Sequence, residues 1–286
     1  MKEVVVLSGK GGTGKTSIVA SLAATAQGKV LADCDVDNAG LYLLLKHTVK
    51  KEDYFWSGQF AFIDSGLCIR CGLCQKNCRF NAISHFSVVT LACEGCGFCA
   101  HICPVEAISM KDNLSGRWFI SETGYGALVH ARLGVARENS GQLVALVRQK
   151  ARQIAEEQGL EYIISDGPRG TGAPVGASLS GASLALIVAE PSLAALEYLK
   201  RVLALCCESR VPVMVCLNKY DLNADNNRQI EDYCYSQGLK IAARIPFDTA
   251  FSGALGKGLP VVEYATGRIS LTITSMWQLI GETLVA

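Results

Sequence analysis

The sequence predicts an α/β protein in which a doubly wound, mostly parallel sheet is interrupted by a small inserted domain. Apolar strand-like runs alternate with amphipathic helical stretches over most of the 286 residues, which is typical of a sheet covered by helices on both faces. Half of the residues are hydrophobic and 19% are charged, so the chain can bury a large core. Eight of the thirteen cysteines lie between Cys68 and Cys103, and this cysteine block breaks the alternation.

Charge and composition exclude several classes of protein. A net charge of +1 leaves no broad basic surface for non-specific nucleic-acid binding, so no nucleic-acid partner is expected. No apolar run approaches the roughly 18 residues that a membrane-spanning helix needs, and Met1–Leu7 is too short for a signal peptide. The odd number of cysteines argues against a disulfide framework. A reduced, cytoplasmic protein without an integral membrane segment is expected.

The N-terminal region predicts a β-α-β unit. A continuous apolar run, Val4–Leu7, reads as a buried strand and is followed at once by glycines. From Lys15 the pattern becomes helical, with apolar residues every fourth position over Ile18–Ala26. A second strand, Val30–Ala32, then runs into the acidic turn Asp33–Asp37.

The alternation resumes after the cysteine block. The predicted strands are Tyr162–Ser165, Leu184–Ala189, Val211–Leu217 and Ile241–Ile245. The predicted helices are Gln142–Glu157, Ser192–Glu208, Asp225–Gln237 and Leu271–Leu284. The last helix has no Lys or Arg after Arg268, so docking on the core is favoured over an amphipathic membrane anchor.

Residues Gly9–Thr16, GKGGTGKT, fit the phosphate-loop pattern between a strand and a helix. Glycines let backbone N–H groups point into a concavity that cradles phosphate oxygens, helped by the positive end of the following helix. Lys15 is expected to reach the β and γ phosphates and the Thr16 hydroxyl to coordinate Mg²⁺. The predicted nucleotide-binding residues of this segment are Gly11, Gly12, Thr13, Gly14, Lys15, Thr16 and Ser17.

Carboxylates are expected at two further strand ends. The strand that begins at Tyr162 ends at Asp166, which reads as the aspartate that holds Mg²⁺ through a water, followed by a flexible loop at Gly167–Gly172. The alternative, a plain turn residue, is less favoured beside a phosphate loop. In the turn after the second strand, Asp33, Asp35 or Asp37 is a candidate for orienting the water that attacks the γ phosphate. Solvated turn residues are the alternative there.

A third candidate segment is Asn218–Asp221, whose sequence is NKYD and which follows a strand. In GTPases this pattern reads guanine, because a carboxylate accepts from two N–H groups of the base, so the residues alone leave ATP and GTP open. Pro246, just past the next predicted strand, is a candidate for lining the same pocket, with a simple turn as an equal alternative.

The lysine-rich phosphate loop, the acidic turn and the segment Asp166–Gly172 together resemble those of deviant Walker A ATPases, a family that includes MinD, Mrp proteins and the nitrogenase iron protein. The resemblance covers the chain on both sides of the cysteine block. It implies an ATP-sandwich homodimer in which Lys10 contacts phosphates across the interface and Asp35 orients the attacking water. It also implies that Asn218 contacts adenine, so ATP is favoured over GTP.

The cysteine block is an internal repeat. The spacing C-x-x-C-x-x-C-x-x-x-C occurs twice, and every cysteine of the second run lies 25 residues after its counterpart. Bacterial two-cluster ferredoxins share this spacing, and in them the fourth cysteine of each run ligates the other cluster. The predicted ligands of the first 4Fe-4S cluster are Cys68, Cys71, Cys74 and Cys103. Those of the second cluster are Cys93, Cys96, Cys99 and Cys78.

Iron is favoured over zinc because three closely spaced thiolates plus a distant fourth suit the corners of a cubane. Arg79 stands after Cys78, where the usual residue is proline, as it is at Pro104. This departure removes no ligand. The other five cysteines are interpreted as packing residues, and vicinal Cys206 and Cys207 cannot place both sulfurs on one helix face.

These observations predict three segments: residues 1–57 and 113–286 form the P-loop ATPase, and residues 58–112 form an inserted α+β domain of the bacterial ferredoxin type. The resemblance is therefore to MinD-superfamily ATPases with an inserted ferredoxin, and Asn139-Ser140-Gly141 also resembles that group. It implies a dimeric enzyme that binds and hydrolyses Mg-ATP and couples its nucleotide state to electron transfer. The implied cofactors are ATP or ADP, Mg²⁺ and two 4Fe-4S clusters, and the implied acceptor is a partner protein.

Two other functions remain open at this point. An iron-sulfur assembly or delivery ATPase would need labile clusters, whereas eight ligands at ferredoxin spacing describe tightly held ones; the C-terminal C-x-x-C of Mrp scaffold proteins is also missing. A spatial organiser of the MinD or ParA type with redox-sensing clusters would need a membrane or DNA surface. The sequence contains neither a basic tail nor a basic helix for such a surface.

Overall fold

The computed structural model describes residues 1–134 and 140–285, so Asn139 lies outside the described residues. The strands are β1 Lys2–Ser8, β2 Lys29–Asp33, β3 Thr48–Ile63, β4 Ile83–Ser84, β5 Ser87–Val88, β6 Ile108–Thr123, β7 Gly126–Leu133, β8 Tyr162–Arg169, β9 Leu184–Ala189, β10 Val213–Asn218 and β11 Lys240–Ile245. The helices are α1 Lys15–Thr25, α2 Leu41–Leu44, α3 Leu73–Asn77, α4 Phe98–His101, α5 Ser140–Glu157, α6 Ala173–Leu179, α7 Leu193–Glu208, α8 Ala224–Ser236, α9 Ala250–Lys257, α10 Val261–Tyr264 and α11 Arg268–Val285.

Nine strands form one sheet in the order β11-β10-β9-β1-β8-β2-β7-β6-β3. Every neighbouring pair from β11 to β7 is parallel. The prediction of an α/β fold with a mostly parallel sheet is therefore confirmed. Because parallel strands end at the same edge of a sheet, the loops after β1, β2, β8, β9 and β10 emerge together at that edge.

Side chains of the central strand β1 alternate between two cores. Val4 and Val6 belong to one apolar cluster, which contains residues of α1 and α11, while Val5 and Leu7 belong to another, which contains residues of α7 and α8. This alternation is what a strand buried on both faces requires. The sheet is accordingly covered by helices on both sides.

The chain forms two compact units. The first consists of Met1–Glu52, Trp118–Arg132 and the chain from Ser140 onward. The second consists of Asp53–Arg117 and, among its other described residues, Leu133 and Gly134. The predicted insertion, residues 58–112, lies within the second unit. Strands β3 and β6 are each 16 residues long, and each runs through both units.

The 25-residue repeat of the second unit is visible in its backbone. Gly72 and Gly97 cap α3 and α4 with φ angles of 77° and 72°, in the left-handed region that favours glycine. Two further pairs lie 25 residues apart, Ala82 with Ala107 and Ile83 with Ile108, and all four of these residues are buried. Equivalent residues of the two halves therefore occupy equivalent environments.

The helices and strands predicted after the cysteine block are present, with ends shifted by up to four residues. The prediction of a flexible loop over Gly167–Gly172 is wrong in its first half, because β8 continues to Arg169, which pairs with Ser8. Strand β10 begins at Val213, after Pro212, since proline has no N–H to donate to the sheet. Strands β3, β6 and β7 and helix α6 were not predicted.

The C-terminal helix α11 docks on the core as predicted, through Ile273, Met276 and Ile280. Within the described chain, no helix is both long and apolar enough to cross a bilayer. Among the described residues, no cysteine is paired in a disulfide. Cys206 is buried and Cys207 is exposed, so the two vicinal sulfurs do lie on different faces of α7.

A buried ion network ties β1 to α5. The Glu3 carboxylate accepts two hydrogen bonds from Arg148, Nε to Oε1 at 2.7 Å and Nη2 to Oε2 at 2.8 Å. Ser165, the residue before Asp166, donates to Glu3 Oε1 at 3.0 Å, and Arg152 donates to Oε2 at 3.0 Å. Glu3 is 3% exposed and Arg148 is 5% exposed. Because every partner is hydrogen-bonded, the cost of burying these charges is offset.

A second buried polar group is His130, on β7. Its ring stacks between Phe119 at 4.9 Å and Tyr42 at 5.5 Å between centroids, and Nε2 is 3.0 Å from the Ser121 hydroxyl. Burial, with contributions from His47 and Arg132, lowers the pKa of His130 to about 4. The imidazole is therefore neutral at physiological pH.

We expect Glu3→Gln to destabilise the fold by roughly 3–5 kcal/mol, because it leaves the Arg148 charge buried without a counter-charge. Urea denaturation followed by circular dichroism measures the change. The matched control is Glu156→Gln on the exposed face of α5, expected within about 0.5 kcal/mol of the unchanged protein. Equal denaturation midpoints for the two variants would contradict the structural role of the network.

We expect the stability to fall as pH drops from about 6.5 to 4, because the unfolded chain protonates His130 in that window and the folded chain does not. His130→Phe keeps the ring stack and removes this loss, which is on the order of 3 kcal/mol. The measurement is the free energy of unfolding as a function of pH. His85→Asn, at an exposed turn position, is the control and should leave the pH dependence unchanged. Parallel pH profiles for His130→Phe and the unchanged protein would refute the assignment.

Candidate functional site

A cavity of about 550 Å³ opens in the first unit at the carboxyl edge of the sheet. Its polar end is formed by the phosphate loop and its other end by side chains that follow β2 and β11. The lining includes Lys10, Gly11, Gly12, Thr13, Gly14, Lys15, Thr16, Ser17, Asn38, Leu43, Arg169, Asn218, Lys219, Pro246, Phe247, Asp248, Phe251 and Leu255. The cavity therefore brings together every predicted nucleotide-binding residue.

Two glycines of the phosphate loop are required by their surroundings. A Cβ atom on Gly9 would lie 2.7 Å from the ring of Tyr198, so the loop packs directly on this side chain. Gly14 has a φ of 89°, and a Cβ atom there would lie 2.4 Å from Asn218 Nδ2. The loop is consequently held close to α7 and to the end of β10, with its backbone facing the cavity.

Lys15 is buried among acceptors. Its ammonium forms an ion pair with Asp166, donates to the Gly167 carbonyl at 2.5 Å and lies 3.6 Å from Asp35 Oδ2. Burial opposes the charged form, but the carboxylates of Asp166 and Asp35 outweigh it and raise the pKa of Lys15 above its usual value. Lys15 is thus a permanent cation at the base of the phosphate loop.

Thr16 and Asp166 supply the oxygens that Mg²⁺ prefers. The Thr16 hydroxyl donates to Asp166 Oδ2 at 2.8 Å, across the first turn of α1 and the end of β8. A hydroxyl and a carboxylate side by side, with phosphate oxygens to complete the shell, fit the octahedral oxygen coordination of Mg²⁺. The two residues predicted to hold the ion are therefore adjacent.

The three aspartates of the β2 turn occupy different positions. Asp33 is buried and accepts hydrogen bonds from the backbone of Asp35, Gly40 and Leu41, at 3.2, 3.0 and 3.0 Å. Burial and the nearby Asp166 raise the pKa of Asp33 to about 7. Asp33 therefore shapes the turn, whereas Asp37 is exposed to solvent.

Asp35 faces the cations of the site. Its Oδ2 atom accepts a hydrogen bond from Arg169 Nε at 3.1 Å, in addition to its contact with Lys15. Burial raises the pKa of Asp35, and the two cations oppose that shift. Asp35 is the aspartate of this turn that lies beside the phosphate loop. Its partner Arg169 had no assigned role in the sequence, although a cation three residues after Asp166 was a usable signal.

Lys10 extends from the phosphate loop to Glu190, at the end of β9. The ammonium is 2.5 Å from Glu190 Oε1, and the Lys10 side chain is 52% exposed. An exposed pair of this kind contributes little stability and is easily exchanged for another partner. Within one chain, therefore, Lys10 forms a readily exchanged ion pair with Glu190.

The NKYD segment braces the phosphate loop. Asn218 Nδ2 donates to the Thr13 carbonyl at 2.7 Å, and Lys219 Nζ donates to the Gly12 carbonyl at 2.6 Å. Asn218 Oδ1 is buried without a hydrogen-bond partner among the described residues. A buried acceptor of this kind is costly unless a ligand donates to it, as an exocyclic amino group can.

Asp221 does not line the cavity. Its Oδ1 atom accepts a hydrogen bond from the Phe247 backbone at 2.6 Å, which fixes the segment that follows β11. The side chains of Phe247 and Phe251, with Pro246, give the cavity an apolar wall at the end away from the phosphate loop. The carboxylate that would read guanine is thus engaged elsewhere.

The eight cysteines of the second unit divide between two cavities. One cavity, of about 20 Å³, is lined by Cys68, Cys71, Cys74 and Cys103. The other, of about 220 Å³, is lined by Cys78, Cys93, Cys96 and Cys99. Each set contains three cysteines of one run and the fourth cysteine of the other run.

The surroundings of the sulfurs suit thiolate ligands. Backbone N–H groups of Ala82 and Ala107 donate to Cys78 Sγ and Cys103 Sγ, both at 3.3 Å, at matched positions of the repeat. Within residues 1–134 and 140–285, no three His, Cys, Asp or Glu side chains converge on a point suited to a single metal ion. A cubane cluster has its four ligands at separate corners, so wider spacing around a cavity is compatible with it.

A family profile identifies the family of the chain from most of its sequence. The profile of the CobQ/CobB/MinD/ParA nucleotide-binding domain matches residues 4–261. The chain therefore belongs to the CobQ/CobB/MinD/ParA family of nucleotide-binding proteins. Its fold is MinD-like: the cell division ATPase MinD of Pyrococcus furiosus superimposes with a TM-score of 0.58 at 20% identity, covering 98% of both chains.

Further similarities span the whole chain or a part of it. McdA of Cyanothece in its complex with ATP superimposes with a TM-score of 0.57 at 17% identity, covering 100% of this chain and 96% of McdA. An uncharacterized protein of Methanocaldococcus jannaschii is 31% identical over 250 residues, which cover 86% of this chain and 84% of that protein. Pyruvate synthase subunit PorD of Methanothermobacter marburgensis is 35% identical over 65 residues, which cover 22% of this chain and 80% of PorD.

We expect Asp221→Ala to weaken the binding of ATP and GTP analogues by the same factor, under about tenfold, because it loosens Phe247 without removing a contact to the base. Titration of fluorescent analogues measures both dissociation constants. Asp225→Ala, at the exposed start of α8, is the matched control and should change neither constant. A selective loss of GTP binding would instead assign Asp221 to guanine recognition.

Proposed function

We propose that this protein is a dimeric ATPase that binds and hydrolyses Mg-ATP and whose nucleotide state governs electron transfer through two 4Fe-4S clusters to a partner protein. The observation that carries the proposal is the division of the eight repeat cysteines into two sets of four around separate cavities, in a chain of a nucleotide-binding family. This arrangement supports nucleotide binding and redox chemistry in one polypeptide.

The nucleotide half of the proposal assigns a task to each residue of the first cavity. Lys15 neutralises the β and γ phosphates, and Thr16 and Asp166 hold Mg²⁺, which balances the charge of the phosphates when it is bound. Asp35 orients the attacking water. Its contact with Lys15 supports this role, because it holds the carboxylate beside the phosphate loop.

Dimer closure is proposed through Lys10. Following the deviant Walker A resemblance, Lys10 leaves Glu190 and contacts the phosphates bound by a second copy of the chain. The half-exposed Lys10–Glu190 pair supports this proposal, since breaking it costs little. Hydrolysis would then depend on association of two chains.

Adenine recognition is assigned to Asn218. Its unpartnered, buried Oδ1 atom is available to the amino group of adenine, while Nδ2 remains bound to Thr13. Pro246 and Phe247 form the apolar wall on which the base can pack. These contacts support ATP as the nucleotide.

The redox half of the proposal rests on the two cysteine sets. Cys68, Cys71, Cys74 and Cys103 would hold one 4Fe-4S cluster, and Cys93, Cys96, Cys99 and Cys78 the other. Each cluster supplies a centre that accepts and releases one electron. The backbone N–H groups that donate hydrogen bonds to sulfur support thiolate ligation, because they stabilise negative charge on the ligand. The similarity to a pyruvate synthase subunit gives further support.

The order of the chain supports coupling between the two halves. Strand β2 ends at Asp33 in the acidic turn, and β3 then carries the chain into the second unit. Strands β6 and β7 and helix α5 lead from the second unit to β8, which contains Asp166. In chain order, the acidic turn therefore precedes the second unit, and the strand that contains Asp166 follows it.

We expect the anaerobically purified protein to contain roughly eight irons and eight sulfides per chain. Cys71→Ser should lower the iron count to about four and remove one of two EPR signals. Cys207→Ser, which changes an exposed cysteine outside both sets, is the matched control and should leave the count unchanged. In stopped-flow mixing, Mg-ATP should change the rate at which the reduced protein reduces a dye, and Lys15→Ala should abolish that effect.

The outcomes separate the competing functions. Identical rates with and without Mg-ATP contradict coupling. Movement of iron from the protein to an apo-acceptor, with loss of its EPR signals, would favour cluster delivery instead. ATP-dependent co-sedimentation with liposomes or DNA would favour a spatial organiser.

A further inference from the structure

Arg169 lies between the two loops that face the nucleotide. It is the last residue of β8, and its Nε donates to Asp35 Oδ2 at 3.1 Å. Its Nη1 atom is 3.1 Å from the position that a Cβ atom on Gly11 would occupy, so the guanidinium packs against the phosphate loop. Arg169 also lines the nucleotide cavity. The guanidinium is therefore positioned within the site without being one of its predicted ligands.

The two cations that contact Asp35 differ in how firmly they are held. Lys15 is 4% exposed and also bonds to Asp166 and the Gly167 carbonyl. The Arg169 side chain is 41% exposed, and among the described residues its polar partner is Asp35 alone. A half-exposed ion pair of this kind is weak and exchanges readily. Arg169 is accordingly the cation of this pair that can move.

A third phosphate in the cavity would compete for Arg169. A guanidinium binds phosphate oxygens through two parallel hydrogen bonds, and this geometry favours a doubly charged terminal phosphate over a single carboxylate. Gly170, with a φ of 77°, follows Arg169 directly, and Gly172 comes two residues later, so the chain can change direction after Arg169. The side chain can therefore reorient while the Mg²⁺-binding residue stays in place.

We propose that Arg169 senses the γ phosphate within its own chain: it holds Asp35 when the site contains ADP or no nucleotide, and it transfers to the terminal phosphate when ATP binds. The transfer releases Asp35 for the water that it orients. This inference rests on the proposed ATPase function and adds to it a residue that distinguishes ATP from ADP.

The ratio of ATP-analogue to ADP affinity tests the proposal, because an ion pair that merely supports the fold would affect both nucleotides equally. A non-hydrolysable ATP analogue and ADP are titrated against the full-length protein with Mg²⁺. Arg169→Gln should weaken the binding of the ATP analogue by at least about tenfold and the binding of ADP by less than about threefold. Arg169→Lys keeps the charge without the planar guanidinium, so its affinity for the ATP analogue should lie between those of Arg169→Gln and the unchanged protein.

Asp35→Asn provides a second variant with the opposite expected sign. It removes the competing carboxylate, so Arg169 is free in advance and the preference for the ATP analogue over ADP should increase. Arg201→Gln, on the exposed face of α7, is the matched control and should leave both affinities unchanged. Thermal unfolding of each variant reports whether the fold is retained.

The outcomes distinguish this inference from the proposed function. If the unchanged protein binds neither nucleotide, both are overturned. If it binds and hydrolyses ATP, but Arg169→Gln and Asp35→Asn leave the affinity ratio unchanged, the sensor role alone is overturned. Opposite shifts of the ratio in these two variants support it.

Discussion

The buried ammonium of Lys15 is the interaction on which the nucleotide site depends. It lies between the carboxylates of Asp166 and Asp35, which are 1% and 6% exposed, at the ends of two different strands. Carboxylates buried this close together repel each other unless a cation is shared between them. The phosphate loop, the end of β8 and the turn after β2 are therefore assembled around one charge. Any event at the phosphates that draws on Lys15 must alter both strand ends at once.

In the second unit, too, groups from separate parts of the chain share one site. Each cysteine cavity takes three sulfurs from one half of the repeat and one from the other half, so neither half can build a cavity alone. The matched glycines at α3 and α4 and the matched N–H to sulfur hydrogen bonds show that the two halves use one local design twice. Each cavity therefore brings together cysteines from the beginning and the end of the cysteine block.

Local sequence signals predicted the elements whose burial is uniform. Strand β9 was predicted at its observed ends, because all six residues from Leu184 to Ala189 are buried. Strand β3 was not predicted, because its first seven residues are exposed and four of them are charged. Only tertiary pairing at the edge of the sheet makes them a strand. The continuation of β8 through Gly167 likewise depends on a neighbour, because a side chain there would collide with Leu7.

Sequence by itself determined the residues that chemistry requires: the phosphate loop, the acidic strand ends and the spacing of eight cysteines. Those patterns are local, and spacing along the chain is enough to display them. Tertiary structure alone decided which groups meet, since Arg169 and Asp35 are 134 residues apart and Asn218 and Thr13 are 205 apart. Such pairings arise only when strand ends converge at one edge of a sheet, which no local pattern encodes.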